Sequence, residues 1–150
     1  MLKQRINGRE AQTISATDRG LSYGDGLFET VLVEKGRPVA WQHHLHRLRR
    51  GCERLGIEQV DYGLINRDGL ELCDGMPLGV LKVIVTRGAG GRGYRPPAAT
   101  SQHPTHVVQL HDHPHYPRQF AAEGIRARIC QTPLGSNPAL AGKKPVSYTH

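Results

Sequence analysis

Trp41, Leu45, Leu48, Cys52 and Leu55 recur at spacings of four, three, four and three, which puts them on one face of a helix. Gly56 follows as its C-cap. A second, weaker helix is predicted from Asp61 to about Cys73. Gly63 and Gly69 count against it, because a glycine inside a helix costs about 1 kcal/mol relative to alanine. LFETVLVE, residues 27–34, reads as a buried strand. Gly36 and Arg37 turn the chain, and Pro38 to Ala40 pair back. GVLKVIVT, residues 79–86, is β-branched and apolar and reads as a central strand. Two further strands are predicted, Thr105 to His111 and Ile125 to Gln131. In the second, Ile125, Ala127 and Ile129 alternate with Arg126 and Arg128, giving one buried and one charged face. A short polar strand around Ile6 ends at an Asn7-Gly8 turn. RGAGGRGY at 87–94 is a loop, Pro96 and Pro97 keep the chain irregular, and residues 132–150 read mostly as loop. The strands do not alternate strictly with helices. The fold class is therefore α+β, a mostly antiparallel sheet with two helices, and not a doubly wound sheet.

Composition narrows the setting. Of 150 residues, 37% are hydrophobic and 22% charged, the balance of a globular domain with a core of its own. No stretch approaches the roughly 20 apolar residues of a spanning helix, and MLKQRINGRE has no apolar centre for a secretory signal. Cys52, Cys73 and Cys130 are odd in number and contain no CxxC pair. A reduced, cytoplasmic setting without a disulfide framework is expected. The net charge of +7 points to anionic partners, either nucleic acid or small multiply charged metabolites.

Five constellations could carry chemistry. In DRGLSYGDGLFET, Asp18 to Thr30, Gly24 and Gly26 bracket Asp25, as in a sharp turn feeding a strand or a close backbone approach. In HHLHRL, Arg47 follows His44 by three residues. Its planar fork suits a phosphate, but with Arg49, Arg50 and Arg54 nearby the residues alone favour a solvated basic face. RGAGGRGY offers exposed N–H groups and the charges of Arg87 and Arg92 to carboxylates or phosphates. It lacks the Lys-Ser/Thr ending of a P-loop and could equally be a hairpin tip or an RNA-binding patch. His103, His106, His111, His113 and His115 have no cysteine or glutamate close by, and Pro114 breaks the strand, so surface histidines are favoured over a metal site. LAGKK, Leu140 to Lys144, places two lysines after a glycine.

Taken in order, Asp18-Arg19, YGDGLFET, HxxRL, RGAGGRGY and SNPALAGxK resemble aminodeoxychorismate lyase, one of the fold-type IV pyridoxal-phosphate enzymes, over roughly residues 5–144. YGDGxFET and HxxRL are general to that fold type, whereas RGAGGRGY and LAGxK are more specific to the lyase. The resemblance implies an N-terminal domain over 1–131, an interdomain loop over 132–144, and a tail at 145–150 that does not match the family. It implies pyridoxal 5′-phosphate as cofactor, held by Arg47 at its phosphate and covalently by Lys144, with Lys143 as the fallback. Arg87 and Arg92 would lie near the substrate carboxylates. The implied reaction converts 4-amino-4-deoxychorismate to 4-aminobenzoate and pyruvate, a step of folate biosynthesis, in a homodimer with neither nucleic acid nor membrane as partner.

The sequence also departs from the family. Its members continue about another hundred residues beyond the lysine, into the part that supplies the acidic partner of the pyridine nitrogen. The expectation is a fragment with its C-terminal domain missing, inactive alone. Lys143 stands where the family has an aliphatic residue, and Pro145-Val146-Ser147-Tyr148 replaces the usual continuation. Two other readings are a branched-chain or D-amino-acid transaminase, and a basic nucleic-acid-binding module using Arg47, Arg49, Arg50, Arg87, Arg92 and Arg95. Against the module, aromatic residues are 5% of the chain and do not interleave with the arginines.

Overall fold

A computed structural model describes residues 3–129, 131, 138 and 141–146. The chain runs through β1 (Lys3–Ile6), α1 (Arg19–Tyr23), β2 (Gly26–Glu34), β3 (Arg37–Pro38), α2 (Trp41–Leu55), α3 (Tyr62–Cys73), β4 (Leu78–Thr86), β5 (Thr105–Asp112) and α4 (Gln119–Glu123). The five strands form one sheet in the order β1-β5-β4-β2-β3, with every pair antiparallel. The strand expected to be central, β4, is its middle.

Strand alternation divides the sheet into two faces. Leu27, Val31 and Val33 of β2, Leu81, Val83 and Val85 of β4, and Val108 and Leu110 of β5 are buried on one of them. α2 and α3 cover that face and add Trp41, Leu48, Cys52, Ile65 and Leu72 to one core. The stripe expected on α2 is the stripe that packs. β2 is buried on one face only, since Thr30, Leu32 and Glu34 stay exposed on the other. The turn after it is Lys35-Gly36, both with positive φ, and Arg37 already belongs to β3.

The two glycines that weakened the α3 prediction do not prevent the helix. At Gly69 a Cβ would lie 2.8 Å from Cζ2 of Trp41, so a missing side chain lets α3 approach α2 closely. Trp41 Nε1 then donates to Asn66 Oδ1 at 2.8 Å. Asp61 caps the start of α3, its Oδ1 accepting from Leu64 N at 2.8 Å. Asp61→Ala should lower stability by about 1 kcal/mol, read as a shift of the denaturant midpoint with unchanged slope.

One predicted strand does not form among the described residues. Residues 125–129 are irregular, with Ile125 75% and Ile129 99% exposed, so the alternation there has no sheet edge to pair with. α1 and α4, five residues each, are too short to leave a periodic signature. Most of the expected 132–144 loop, and Cys130, lie outside the described residues.

Candidate functional site

Glu29 breaks the apolar pattern of the buried face. It points inward between Leu27 and Val31 and is 2% exposed. A buried carboxylate requires partners, and α2 supplies them. His44 and Arg47, three residues apart, share the helix side that faces β2. Arg47 donates to Glu29 through Nε at 2.7 Å and Nη2 at 2.5 Å, and His44 Nδ1 donates at 2.7 Å. Burial works against the Glu29 charge, but the Arg47 and His44 hydrogen bonds overcome it and hold the carboxyl below its usual range. Arg47 itself is 45% exposed at the side chain. Its Nη1 has no hydrogen bond among the described residues.

Lys144 reaches the same strand from the other side. Phe28 N donates to Lys144 O at 2.9 Å, and Val146 N donates to Gly26 O at 2.8 Å. Between them Pro145 pairs with Leu27, so proline falls where its missing N–H is not needed. Lys144 Nζ lies 3.4 Å from Thr30 Oγ1 and 4.5 Å from the centre of the Phe28 ring. Lys82, opposite Thr30 on β4, places its Nζ 5.6 Å from the same ring. Phe28 and Thr30 flank Glu29 in sequence and point to the opposite face. Three consecutive residues of β2 therefore organise a primary amine on one side and a clamped guanidinium on the other.

Arg87, expected near the substrate carboxylates, lies beside Asp25 and the end of α2. It is 4% exposed. Its Nε and Nη2 bind Asp25 at 2.8 and 3.0 Å, while Nη1 and Nη2 bind the carbonyls of Gly56 and Leu55 at the end of α2 at 2.5 and 2.8 Å. All three nitrogens are engaged within the fold, beside the end of α2 and the turn before β2. Arg19, also buried, binds Asp25 through Nε at 2.8 Å and holds the carbonyls of Gly93 and Tyr94 at 3.1 and 2.9 Å. The glycine-rich loop is thus tied down rather than open. At Gly88, where φ is +87°, a Cβ would stand 1.8 Å from His103 O, so only glycine fits. Arg92 remains exposed between the two anchored ends.

Sequence reasoning missed Glu29, Phe28 and Thr30 as individual site residues. Glu29 did leave a signal, a charge at an inward position of an otherwise apolar strand. Among the described residues no cluster of three His, Cys, Asp or Glu side chains could hold a metal. No helix among them is long and apolar enough to cross a membrane.

A model of the amino-transferase class IV family matches residues 26–150. Aminodeoxychorismate lyase of Vibrio harveyi is 29% identical over 139 residues, 93% of this chain and 51% of that protein. The crystal structure of 4-amino-4-deoxychorismate lyase from Pseudomonas aeruginosa superimposes with a TM-score of 0.86 at 42% identity, covering 96% of this chain and 52% of that one. Branched-chain amino acid aminotransferase of Escherichia coli shares the fold at 17% identity, with a TM-score of 0.73 over 95% of this chain and 51% of that one. The chain spans about half the length of the relatives it matches.

Proposed function

Because the chain belongs to the amino-transferase class IV family, we propose that it forms part of a pyridoxal-phosphate-dependent lyase that converts 4-amino-4-deoxychorismate to 4-aminobenzoate and pyruvate. The observation that carries the reading is the Lys144 amine beside Phe28 and Thr30, with the Arg47 guanidinium clamped behind the same strand. The chemistry of the two side chains fits the group. An aldehyde needs a primary amine, and Lys144 Nζ lies 3.4 Å from Thr30 Oγ1 and 4.5 Å from the centre of the Phe28 ring. A phosphate needs a directed cation, and Arg47 keeps Nη1 available on a half-exposed side chain. The similarity to aminodeoxychorismate lyases supports the substrate assignment.

Bound there, the cofactor would supply an electron sink for the carbon that bears the substrate nitrogen. Lys144 Nζ takes the proton from that carbon. The bond from the neighbouring ring carbon to the enolpyruvyl oxygen then breaks. Its electron pair leaves with the enolpyruvate, which takes up a proton as pyruvate, and the ring becomes aromatic. Phe28 sets the face of its ring against the amine. Arg92 is the remaining loop cation for a substrate carboxylate, and the net charge of +7 suits a substrate with two carboxylates. The same reading makes the enzyme a cytoplasmic homodimer.

The test is incubation of the whole protein with 4-amino-4-deoxychorismate. Equal yields of pyruvate and 4-aminobenzoate are expected. Amino transfer from a donor to a keto acid without pyruvate release would instead make it a transaminase. Arg47→Ala should remove an interaction worth about 1.5–3 kcal/mol, a roughly ten- to hundredfold loss of cofactor affinity. Unchanged affinity in a folded variant would refute the phosphate assignment.

A further inference from the structure

We propose that Glu29 is a positioning residue for phosphate recognition, aiming the Arg47 guanidinium from inside the fold. The inference rests on the reading that Arg47 takes the cofactor phosphate. It goes beyond that reading by assigning the aim of Arg47 to a second residue, one that need not touch the ligand.

The geometry separates aiming from simple tethering. Arginine is long and flexible, and a half-exposed arginine ordinarily samples many rotamers. Here Nε and Nη2 both rest on Glu29 at 2.7 and 2.5 Å, which fixes the guanidinium plane and leaves the Nη1 edge outward. His44 Nδ1 adds a third hydrogen bond at 2.7 Å on Oε2, so the carboxylate that sets the plane is itself held. α2 does not need this pair to stay on the sheet. Leu48 and Cys52 are buried there, and Gly51 lies so close to Leu27 that a Cβ would come within 2.6 Å of its Cδ1. A half-exposed ion pair adds little stability, so a carboxylate at this position is better accounted for by orientation. Glu29 also offsets the Arg47 charge. Recognition here therefore depends on a directed donor more than on net positive charge, which makes it sensitive to the plane Glu29 sets.

The experiment uses the whole protein, stripped of cofactor and titrated by absorbance with pyridoxal 5′-phosphate and separately with pyridoxal. The readout is the ratio of the two affinities, which isolates the phosphate contribution. Glu29→Gln should lower that ratio roughly tenfold while leaving pyridoxal affinity unchanged. Arg47→Ala should lower it at least as far, and the double variant should fall no further than Arg47→Ala. An unchanged ratio in Glu29→Gln beside a reduced one in Arg47→Ala overturns the proposal and leaves the proposed function standing. Equal weakening of both ligands shows a merely structural Glu29 and overturns it too. No change in Arg47→Ala removes the phosphate reading, and this inference with it. Should Glu29→Gln fail to fold, Glu29→Asp keeps the charge but shortens the reach, and the same fall in the ratio is expected of it.

Discussion

Lys144→Ala should leave no lysine that borohydride can trap with pyridoxal 5′-phosphate. In the unaltered protein, reduction followed by peptide mass mapping should place the adduct on Lys144. The lysine strand pairs with β2 at Gly26 and Phe28, so the position of the Lys144 Cα is fixed by backbone hydrogen bonds rather than by loop conformation. Its Nζ then lies against Phe28 and Thr30. Two other amines compete. Lys143 is adjacent, and in extended backbone adjacent side chains point to opposite sides. Lys82 shares the face of Thr30 and approaches the same aromatic ring, though at 5.6 Å rather than 4.5 Å. Lys143→Ala and Lys82→Ala should both retain the adduct. Loss of the base alone should cost roughly 10²–10⁴-fold in pyruvate release. An adduct that persists in Lys144→Ala, or that maps to Lys82 or Lys143, would show that the amine has been misassigned.

The parts of this arrangement that could be read from the sequence are those set by local spacing. The α2 stripe from Trp41 to Leu55 and the His44–Arg47 interval are helix periodicities, and both place side chains as the spacing requires. The run at 79–86 is β-branched and apolar apart from Lys82, and it sits at the sheet centre. Long-range partners were not legible. The alternation at Ile125 to Ile129 describes a face but not a neighbour, and no sheet edge receives it. The charge of Arg87 was visible in the glycine-rich stretch, but its fate depends on Asp25 and on the carbonyls where α2 ends. Gly56 marked that helix end without showing that Arg87, the residue after β4, would bind its carbonyls. The setting of Lys144 depends on pairing between residues 26–28 and 144–146, a separation of more than a hundred residues that no local pattern encodes.

The largest effect on stability should come from Asp25. Its carboxylate lies between Arg19 and Arg87, which are 3% and 4% exposed, and accepts from Nε of each at 2.8 Å. Asp25→Ala leaves both guanidiniums buried without their counter-charge, and stability should fall by about 3–5 kcal/mol. Three segments depend on this one group: the end of α2 through Arg87, the glycine-rich loop through Arg19, and the start of β2, on which Lys144 pairs. The effect has a definite pH dependence. Burial opposes the Asp25 charge, but the Arg87 and Arg19 hydrogen bonds prevail and hold its carboxyl below the ordinary value of 3.8. A group whose folded-state value is depressed contributes its full stability above the unfolded value and loses it as pH falls through the folded one. The stability of the unaltered protein should therefore decline as pH drops below about 4. Asp25→Asn, which keeps one carbonyl acceptor but cannot ionise, should be less damaging than Asp25→Ala and should lack this part of the acid dependence. Denaturant unfolding from pH 7 down to 3 measures both. A loss under about 1 kcal/mol for Asp25→Ala, the scale of an exposed pair, would show that the two arginines are satisfied without it.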